Sequence, residues 1–316
     1  MFTYSDHIFL HAANLALDPP RRANYAFVSH GHSDHIGRHV AGIATPATVS
    51  LVARRLGVSR LTPLAYDESV ERSGHRVSLA PAGHVLGAAQ IVVDDPNGQR
   101  LVYTGDFSVR PRPTVQPAQP IHADILIMEC TFGNPQYVFP PDDEIRARVK
   151  SFVERALLNR QVPVILGYAL GKAQEAMALV HELGFPFAVD SAVGRIADVY
   201  RRFGVDFGEY AVATGERVPD QVLIAAPGAR RAALPARSRT LYLSGWALDR
   251  STTYRMGVDE AIPLSDHADF DELVAFVRAA NPGRIYTTHG PSEFADHLVR
   301  LGFRAEHLGT HQPALF

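Results

Sequence analysis

His30-Gly31-His32-Ser33-Asp34-His35 puts three imidazoles and one carboxylate on six consecutive residues, and its reading decides the fold. The preceding Tyr25-Ala26-Phe27-Val28-Ser29 is a short apolar run of strand-forming residues, and Gly31 permits a tight bend. The stretch Ile36 to Ile43 is expected to start a helix. A buried strand would then deliver metal-ligand side chains to one open corner. The pairs His30/His32 and Asp34/His35 suit two neighbouring ions better than one. Nitrogen and oxygen donors without thiolates favour zinc or manganese, and a site left open at one position is catalytic rather than structural.

Working outward, Ala82-Gly83-His84 follows an expected strand at Val77–Leu79, and Thr104-Gly105-Asp106 follows another at Leu101–Tyr103. Each sets a ligand-type side chain beside glycine at a strand end, where an ion can approach. With the hexapeptide they complete a two-metal site with a bridging carboxylate. Alone, either would read as an ordinary turn residue.

The rest of the chain bounds the alternatives. At 316 residues it accommodates one large domain or two modest ones. No apolar run approaches a membrane span, and the first residues lack the basic start and apolar core of a signal peptide. Cys130 is the single cysteine, so no intramolecular disulfide forms and the cytoplasm is the expected location. The net charge of −2 excludes a globally basic nucleic-acid binder. Lys150 and Lys172 are the only lysines, and the arginine pairs 21/22, 54/55, 201/202 and 230/231, with Arg110 and Arg112, are candidate local phosphate-gripping patches. Charge alone neither requires nor excludes a nucleic-acid substrate.

Along the chain, the first ~135 residues read as short strands and turns, with further strands at Gln90–Val93 and Ile125–Met128. The character changes at Pro140-Pro141-Asp142-Asp143. An amphipathic helix is expected from about Asp143 to Asn159, N-capped by Asp142 or Asp143. A strand at Val162–Leu166, a turn, a helix at Ala173–Leu183, a strand at Phe187–Val189 and a helix at Val193–Phe203 follow, with later strands at Gln221–Ala225 and Thr240–Leu243. This alternation is that of a small α/β module on a parallel sheet. Metal-type motifs return at Ser265-Asp266-His267 and Thr288-His289-Gly290, around a helix at Phe270–Ala280 and a strand at Arg284–Thr288. A metal-binding domain is therefore interrupted by an α/β insertion and completed by its own tail: residues 1–138, then 139–258 inserted, then 259–316.

His30-x-His32-x-Asp34-His35, His84 and Asp106 at these spacings resemble the metallo-β-lactamase fold, an αββα sandwich. The insertion, with Glu129 before it and His267 and His289 after it, is similar to the β-CASP branch, whose members are mostly nucleases. Glu129-Cys130-Thr131-Phe132-Gly133, Tyr168-Ala169-Leu170-Gly171-Lys172-Ala173-Gln174, Ser244-Gly245-Trp246 and Leu264-Ser265-Asp266-His267-Ala268-Asp269 look most like the bacterial DNA-ligase-associated exonucleases. By matched position, the resemblance implies that His30, His32 and His84 hold one divalent ion (zinc or manganese), that Asp34, His35 and His289 hold a second, and that Asp106 bridges them. It implies that Asp18 orients the metal-binding loop, although Pro19-Pro20 stands where the family has a glycine. It further implies that His267 is the general acid and that Glu129 orients its ring.

Gly171-Lys172 at a helix start and Ser244-Gly245 after a strand are candidates for contact with a substrate phosphate. The first is not a Walker A loop, since no Ser/Thr follows the lysine. Trp246 could stack a base or sit in the core; Asp266 and Asp269 read as capping or supporting groups. His7, His11, His39, His75, His122, His181, His297, His307 and His311 lack a motif and read as structural or surface groups.

The expected function is a two-metal phosphodiesterase acting on single-stranded DNA or RNA, in repair or RNA processing. The resemblance adds threading of a strand beneath the insertion and a DNA ligase or helicase as a candidate partner. Within the β-CASP branch a histidine at the last motif, here His289, goes mostly with RNA cleavage, whereas the ligase-associated group points to DNA. A small-molecule metallohydrolase of the thioesterase or lactonase type explains the ligands but not the insertion. A catalytically dead scaffold explains the insertion but not a full set of ligands. Polarity, end preference and oligomeric state are open at this level.

Overall fold

The computed structural model describes residues 2–213, 221–228, 234–235 and 237–309. The arginine pair 230/231 and His311 lie outside the described residues. The chain divides into two compact units. The first comprises residues 1–111, 115–138 and 267–316; the second comprises 112–114 and 139–266.

The first unit is built on two sheets. One has six strands in the order Phe2–Tyr4, Ile8–Leu10, Leu15–Leu17, Tyr25–Phe27, Ala41–Ala44 and Leu61–Pro63. The other has seven, in the order Ala305–His307, Arg284–Thr288, Ile125–Glu129, Arg100–Tyr103, Ala89–Asp94, His75–Pro81 and Ser69–Arg72. Leu15, Leu17, Phe27 and Ile43 from the first share one buried cluster with Leu79, Ile91, Tyr103 and Ile127 from the second. The sheets therefore pack face to face, and apolar burial at roughly 25 cal/mol per Å² is what holds them. Helix Pro46–Leu56 covers the outer face of the first sheet through Val52, in a cluster with Val28, Ile36, Ala44 and Leu61. Helix Phe270–Ala280 lies by the second, where Phe276 meets Phe107 with ring centroids 4.5 Å apart. This is the αββα sandwich.

Three adjacent strands, Arg100–Tyr103, Ile125–Glu129 and Arg284–Thr288, run parallel. Their C-terminal ends lie side by side, so Asp106, Glu129 and His289 emerge on one rim. Strand His75–Pro81 runs antiparallel to Ala89–Asp94, which is itself antiparallel to Arg100–Tyr103. Its C-terminal end, followed by His84, therefore points the same way. In the first sheet, Leu15–Leu17 and Tyr25–Phe27 are parallel and lead into Asp18 and the hexapeptide.

The helix expected from Ile36 is absent. Ala41–Ala44 is a strand paired on both sides, and a Cβ at Gly42 would lie 2.2 Å from the Ala26 carbonyl oxygen. Only glycine allows that approach. The helix begins instead at Pro46, behind Thr45, whose side chain accepts from the Thr48 N–H.

The second unit holds a six-stranded, all-parallel sheet in the order Ala211–Val212, Phe187–Val189, Val222–Ala225, Val162–Leu166, Ser238–Leu243 and Glu260–Ile262. Helices Asp142–Leu158, Lys172–Glu182 and Ser191–Arg202 connect it. The first of these is capped by Pro141, with no side-chain cap, rather than by Asp142 or Asp143. Those two acids and Glu144 occupy its first turn, where they complement the helix dipole.

Candidate metal centre

The hexapeptide turns three imidazoles toward the strand ends of the second sheet. His30 Nε2 lies 3.1 Å and His84 Nε2 3.0 Å from His32 Nδ1. Asp106 Oδ2 lies 3.6 Å from His30 Nε2, 3.5 Å from His35 Nε2 and 3.8 Å from His84 Nε2. Its other oxygen is 3.5 Å from His289 Nδ1 and is buried without a hydrogen bond. Among the described residues, two groups of ligand atoms that include hexapeptide histidines each span no more than 4.8 Å: His30, His32, His84 and Asp106, and His35, Asp106 and His289. Asp34 falls outside both groups; its carboxylate is exposed, 3.6 Å from His35 Nε2.

The donor set fits a divalent ion. It is nitrogen and oxygen only, with Cys130 buried elsewhere, and an orphaned carboxylate oxygen faces converging imidazole nitrogens. Burial, with His35 and His84 nearby, holds the His30 pKa well below the usual value, so the ring stays a neutral donor. Burial opposes charge on His35 too, but Asp106 and Asp18 outweigh it and hold that pKa well above the usual value. Burial also works against ionisation of Asp106, yet His35 and His289 hold its carboxyl well below the usual range.

A second layer fixes these donors. Asp18 accepts from the Ser29 N–H (2.7 Å), the Ser29 hydroxyl (2.5 Å), His35 Nδ1 (2.9 Å) and the Tyr103 hydroxyl (2.9 Å). Because the Ser29 hydrogen goes to Asp18, its oxygen is left to accept from His30 Nδ1, 3.0 Å away. Both histidines thereby turn Nε2 to the centre. Asp18 sits at φ 42°, the left-handed conformation that a small acidic residue tolerates ahead of Pro19. Nothing in the sequence singles out Ser29 or Tyr103 for this role. The Tyr103 bond joins residues 85 apart in the chain, and no local pattern announces it. Gly105 is needed at φ 55°, because a Cβ there would lie 2.6 Å from Ser29 Cβ.

Beside the donors stands His267. Its Nδ1 is 2.7 Å from Glu129 Oε1, which also accepts the Phe107 N–H at 3.0 Å; Glu129 Oε2 accepts the Thr131 N–H at 2.9 Å. The Ala268 N–H returns to the Phe107 carbonyl at 2.8 Å. The segment after Asp106 and the segment carrying His267 are thus stitched to each other through Phe107. The His267 ring lies 4.4 Å, centroid to centroid, from that of His84. Arg110 reaches Asp269 at 2.9 Å and Glu272 at 2.6 Å, the capping box of helix Phe270–Ala280.

The four expected phosphate positions all lie in the second unit. The Gly171 N–H is given to Gln174 Oε1 at 2.8 Å, and the buried Lys172 ammonium pairs with Asp266. The Gly171 N–H is thus engaged in capping its own helix, and Lys172 in a buried ion pair that the sequence spacing does not announce. Ser244 is buried, and its hydroxyl accepts from the Trp246 N–H at 3.3 Å; Gly245 starts a short 3-10 helix. Arg112, from the other candidate arginine motif, pairs with Glu175 and bonds the Ser265 carbonyl.

Comparison with known proteins places the chain among relatives. Residues 255–312 match a family described as "Zn-dependent metallo-hydrolase RNA specificity domain". The chain is 36% identical over 313 residues, 97% of its length, to a probable DNA ligase of Opitutus terrae, and spans 31% of that protein. It is 30% identical over 186 residues to the human DNA cross-link repair 1A protein, covering 55% of this chain and 17% of that one. A Thermus thermophilus ribonuclease is 27% identical over 228 residues, 60% of this chain and 52% of the ribonuclease. The chain belongs to the β-CASP metallo-β-lactamase nuclease family. The β-CASP chain thus spans under a third of its ligase relative and about half of the ribonuclease. A crystal structure of a protein of unknown function from Enterococcus faecalis V583 superposes with a TM-score of 0.64 at 12% identity, covering 91% of this chain and 79% of that one, and shares the fold. Family and donor set together make the cluster a divalent-metal site. Among the described residues, no helix is long and apolar enough to cross a membrane.

Proposed function

We propose that the chain hydrolyses phosphodiester bonds of single-stranded nucleic acid at a two-metal centre. His30, His32 and His84 hold one ion, His35, His289 and Asp34 the other, and Asp106 serves both. The convergence of three imidazole nitrogens at 3.0–3.1 Å supports the first set. The exposed Asp34 carboxylate, 3.6 Å from His35 Nε2, supports its place in the second. Zinc or manganese suits these nitrogen and oxygen donors. When bound, such ions supply an activated water and positive charge for the non-bridging phosphate oxygens.

The observation that carries the reading is the His267–Glu129 pair set against this cluster, with Asp106, Glu129 and His267 offering atoms within 4.8 Å of one another. A thioesterase expels a thiolate that needs little help, whereas a strand's 3′ or 5′ alkoxide must be protonated. Glu129 takes the Nδ1 hydrogen bond and leaves Nε2 to carry the proton to the departing oxygen. The same carboxylate supports the charged ring, and two backbone N–H groups hold the carboxylate itself. Asp18 keeps His35 aligned throughout. No step uses a 2′-hydroxyl, so the chemistry accepts either sugar.

DNA is the favoured polymer, supported by a DNA-ligase relative that aligns with nearly the whole chain, which also nominates a ligase as partner. RNA is the second reading, supported by the family description over residues 255–312. The single buried thiol suits the cytoplasm. The test is metal-reconstituted protein, with Mn²⁺ and Zn²⁺ separately, on matched end-labelled single strands of DNA and RNA, with Asp106→Ala as control. A mononucleotide ladder on DNA supports an end-directed repair exonuclease. Internal cuts in RNA alone move the chain to RNA processing. Silence of wild type and control alike on both polymers would sink the nuclease reading in favour of a small-molecule hydrolase.

A further inference from the structure

On the first unit, just past the hexapeptide, lies a cavity of about 220 Å³ that the metal chemistry leaves unused. Arg22, Arg38, His39 and Arg60 line it, with Gly37 and Val58. No acidic residue is among its lining residues, and none of the three arginines has an ion-pair partner among the described residues. Arg38 spends one guanidinium nitrogen on the Leu56 carbonyl at 3.0 Å; that bond ties the loop to the end of helix Pro46–Leu56 and leaves the charge unmatched.

His39 makes the cavity more than a basic surface. It is 5% exposed, and its Nδ1 accepts the Ala23 N–H at 3.3 Å. Burial lowers its pKa, so at neutral pH the ring carries one hydrogen. With Nδ1 accepting, that hydrogen sits on Nε2, which is buried and has no partner. Orphaned buried donors are rare and costly. Gly37 lies against this edge of the ring: a Cβ there would fall 2.6 Å from His39 Cε1 and 2.9 Å from Nε2. A side chain at position 37 would close the space that glycine leaves.

We propose that this cavity binds a phosphate group, taken between the Arg22, Arg38 and Arg60 guanidiniums with the His39 Nε2–H as a neutral donor. Guanidinium forks match phosphate oxygens in pairs, and the cavity is smaller than the roughly 300–1,000 Å³ of sites that enclose whole drug-sized ligands. It therefore suits one phosphate rather than a complete nucleotide. Two sources share this chemistry: a phosphate of a bound strand, away from the reacting one, or free inorganic phosphate.

Metal-loaded wild type and the Arg22→Ala/Arg60→Ala double variant are titrated with inorganic phosphate, and with short single strands of uncleavable backbone bearing a 5′-phosphate or a 5′-hydroxyl. Both arginines are exposed, so the variant's thermal midpoint should match wild type. The expected result is loss of a phosphate-binding event or weakening by about tenfold or more, restored in part by Arg22→Lys/Arg60→Lys. A strand held here shows, in the variant, a salt slope shallower by about 0.7 for each phosphate no longer gripped. Loss confined to the 5′-phosphorylated strand assigns a terminal phosphate, and equal loss on both strands assigns the backbone. Loss for inorganic phosphate alone assigns the free ion. Unchanged binding of all three probes overturns the proposal. These are equilibrium measurements, so a strand-cleavage failure would leave them standing.

Discussion

A carboxylate can hold a cation, orient an imidazole or cap a loop, and Asp106, Glu129 and Asp18 differ in what surrounds each. Asp106 keeps one oxygen without a hydrogen bond, whereas every oxygen of Glu129 and Asp18 is committed. Asp106→Ala should therefore lose bound metal, read by elemental analysis of the dialysed protein; full retention would remove Asp106 from the centre. His267→Ala should keep its metal and strand affinity while turnover falls by about 10²–10⁴-fold. A rate near wild type would exclude proton delivery by His267. Asp18→Asn keeps the shape but exchanges an acceptor for a donor opposite Ser29, His35 and Tyr103. Metal affinity should drop by about 10–100-fold, the usual effect of a disturbed supporting partner. The imidazole cluster is legible in the sequence because His30, His32 and His35 share six residues. Their supports are not: Ser29 next to a histidine and Tyr103 at a strand end look like any serine and tyrosine until the two sheets meet.

Elements, rather than loops alone, hold the donors in register. Helix Pro46–Leu56 is an example: Thr45 and Thr48 at its start donate to the Gly87 carbonyl at 2.6 and 2.9 Å, pinning the loop that carries His84. Thr45→Ala should cost about 1–2 kcal/mol in denaturant unfolding, from the lost cap, and also loosen the metal. Helix Phe270–Ala280 is tied in twice, by Arg110 on its capping box and by Phe276 on Phe107. Phe276→Ala, at a position 2% exposed, should cost about 3–5 kcal/mol. Helix Phe270–Ala280 and strand Arg284–Thr288 stand where their apolar periodicity puts them. The stretch after the hexapeptide misleads for a physical reason. Ile36 to Ile43 has helix-compatible spacing, but the pairing of Ala41–Ala44 with both neighbouring strands outweighs local preference, and the Thr45-Pro46 start signal comes later in the chain.

At the scale of the whole molecule, the αββα sandwich follows from the hexapeptide and its partners, because strand ends pointing one way are what bring distant donors together. The second unit's alternating strands and helices are legible from periodicity. The ion pairs inside it, Arg112 with Glu175 and Lys172 with Asp266, are not, since partners so far apart in sequence leave no pattern. The first unit is discontinuous: its sheet receives Arg284–Thr288 beside Ile125–Glu129 only from the last stretch of chain. That order matters while the protein is being made. A growing chain displays His30, His32, His84 and Asp106 long before it contains His267 or His289. The emerging polypeptide can bring His30, His32, His84 and Asp106 together before His289 exists to join them. The first unit cannot finish folding until Arg284–Thr288, made after the whole of the second unit, has paired with Ile125–Glu129.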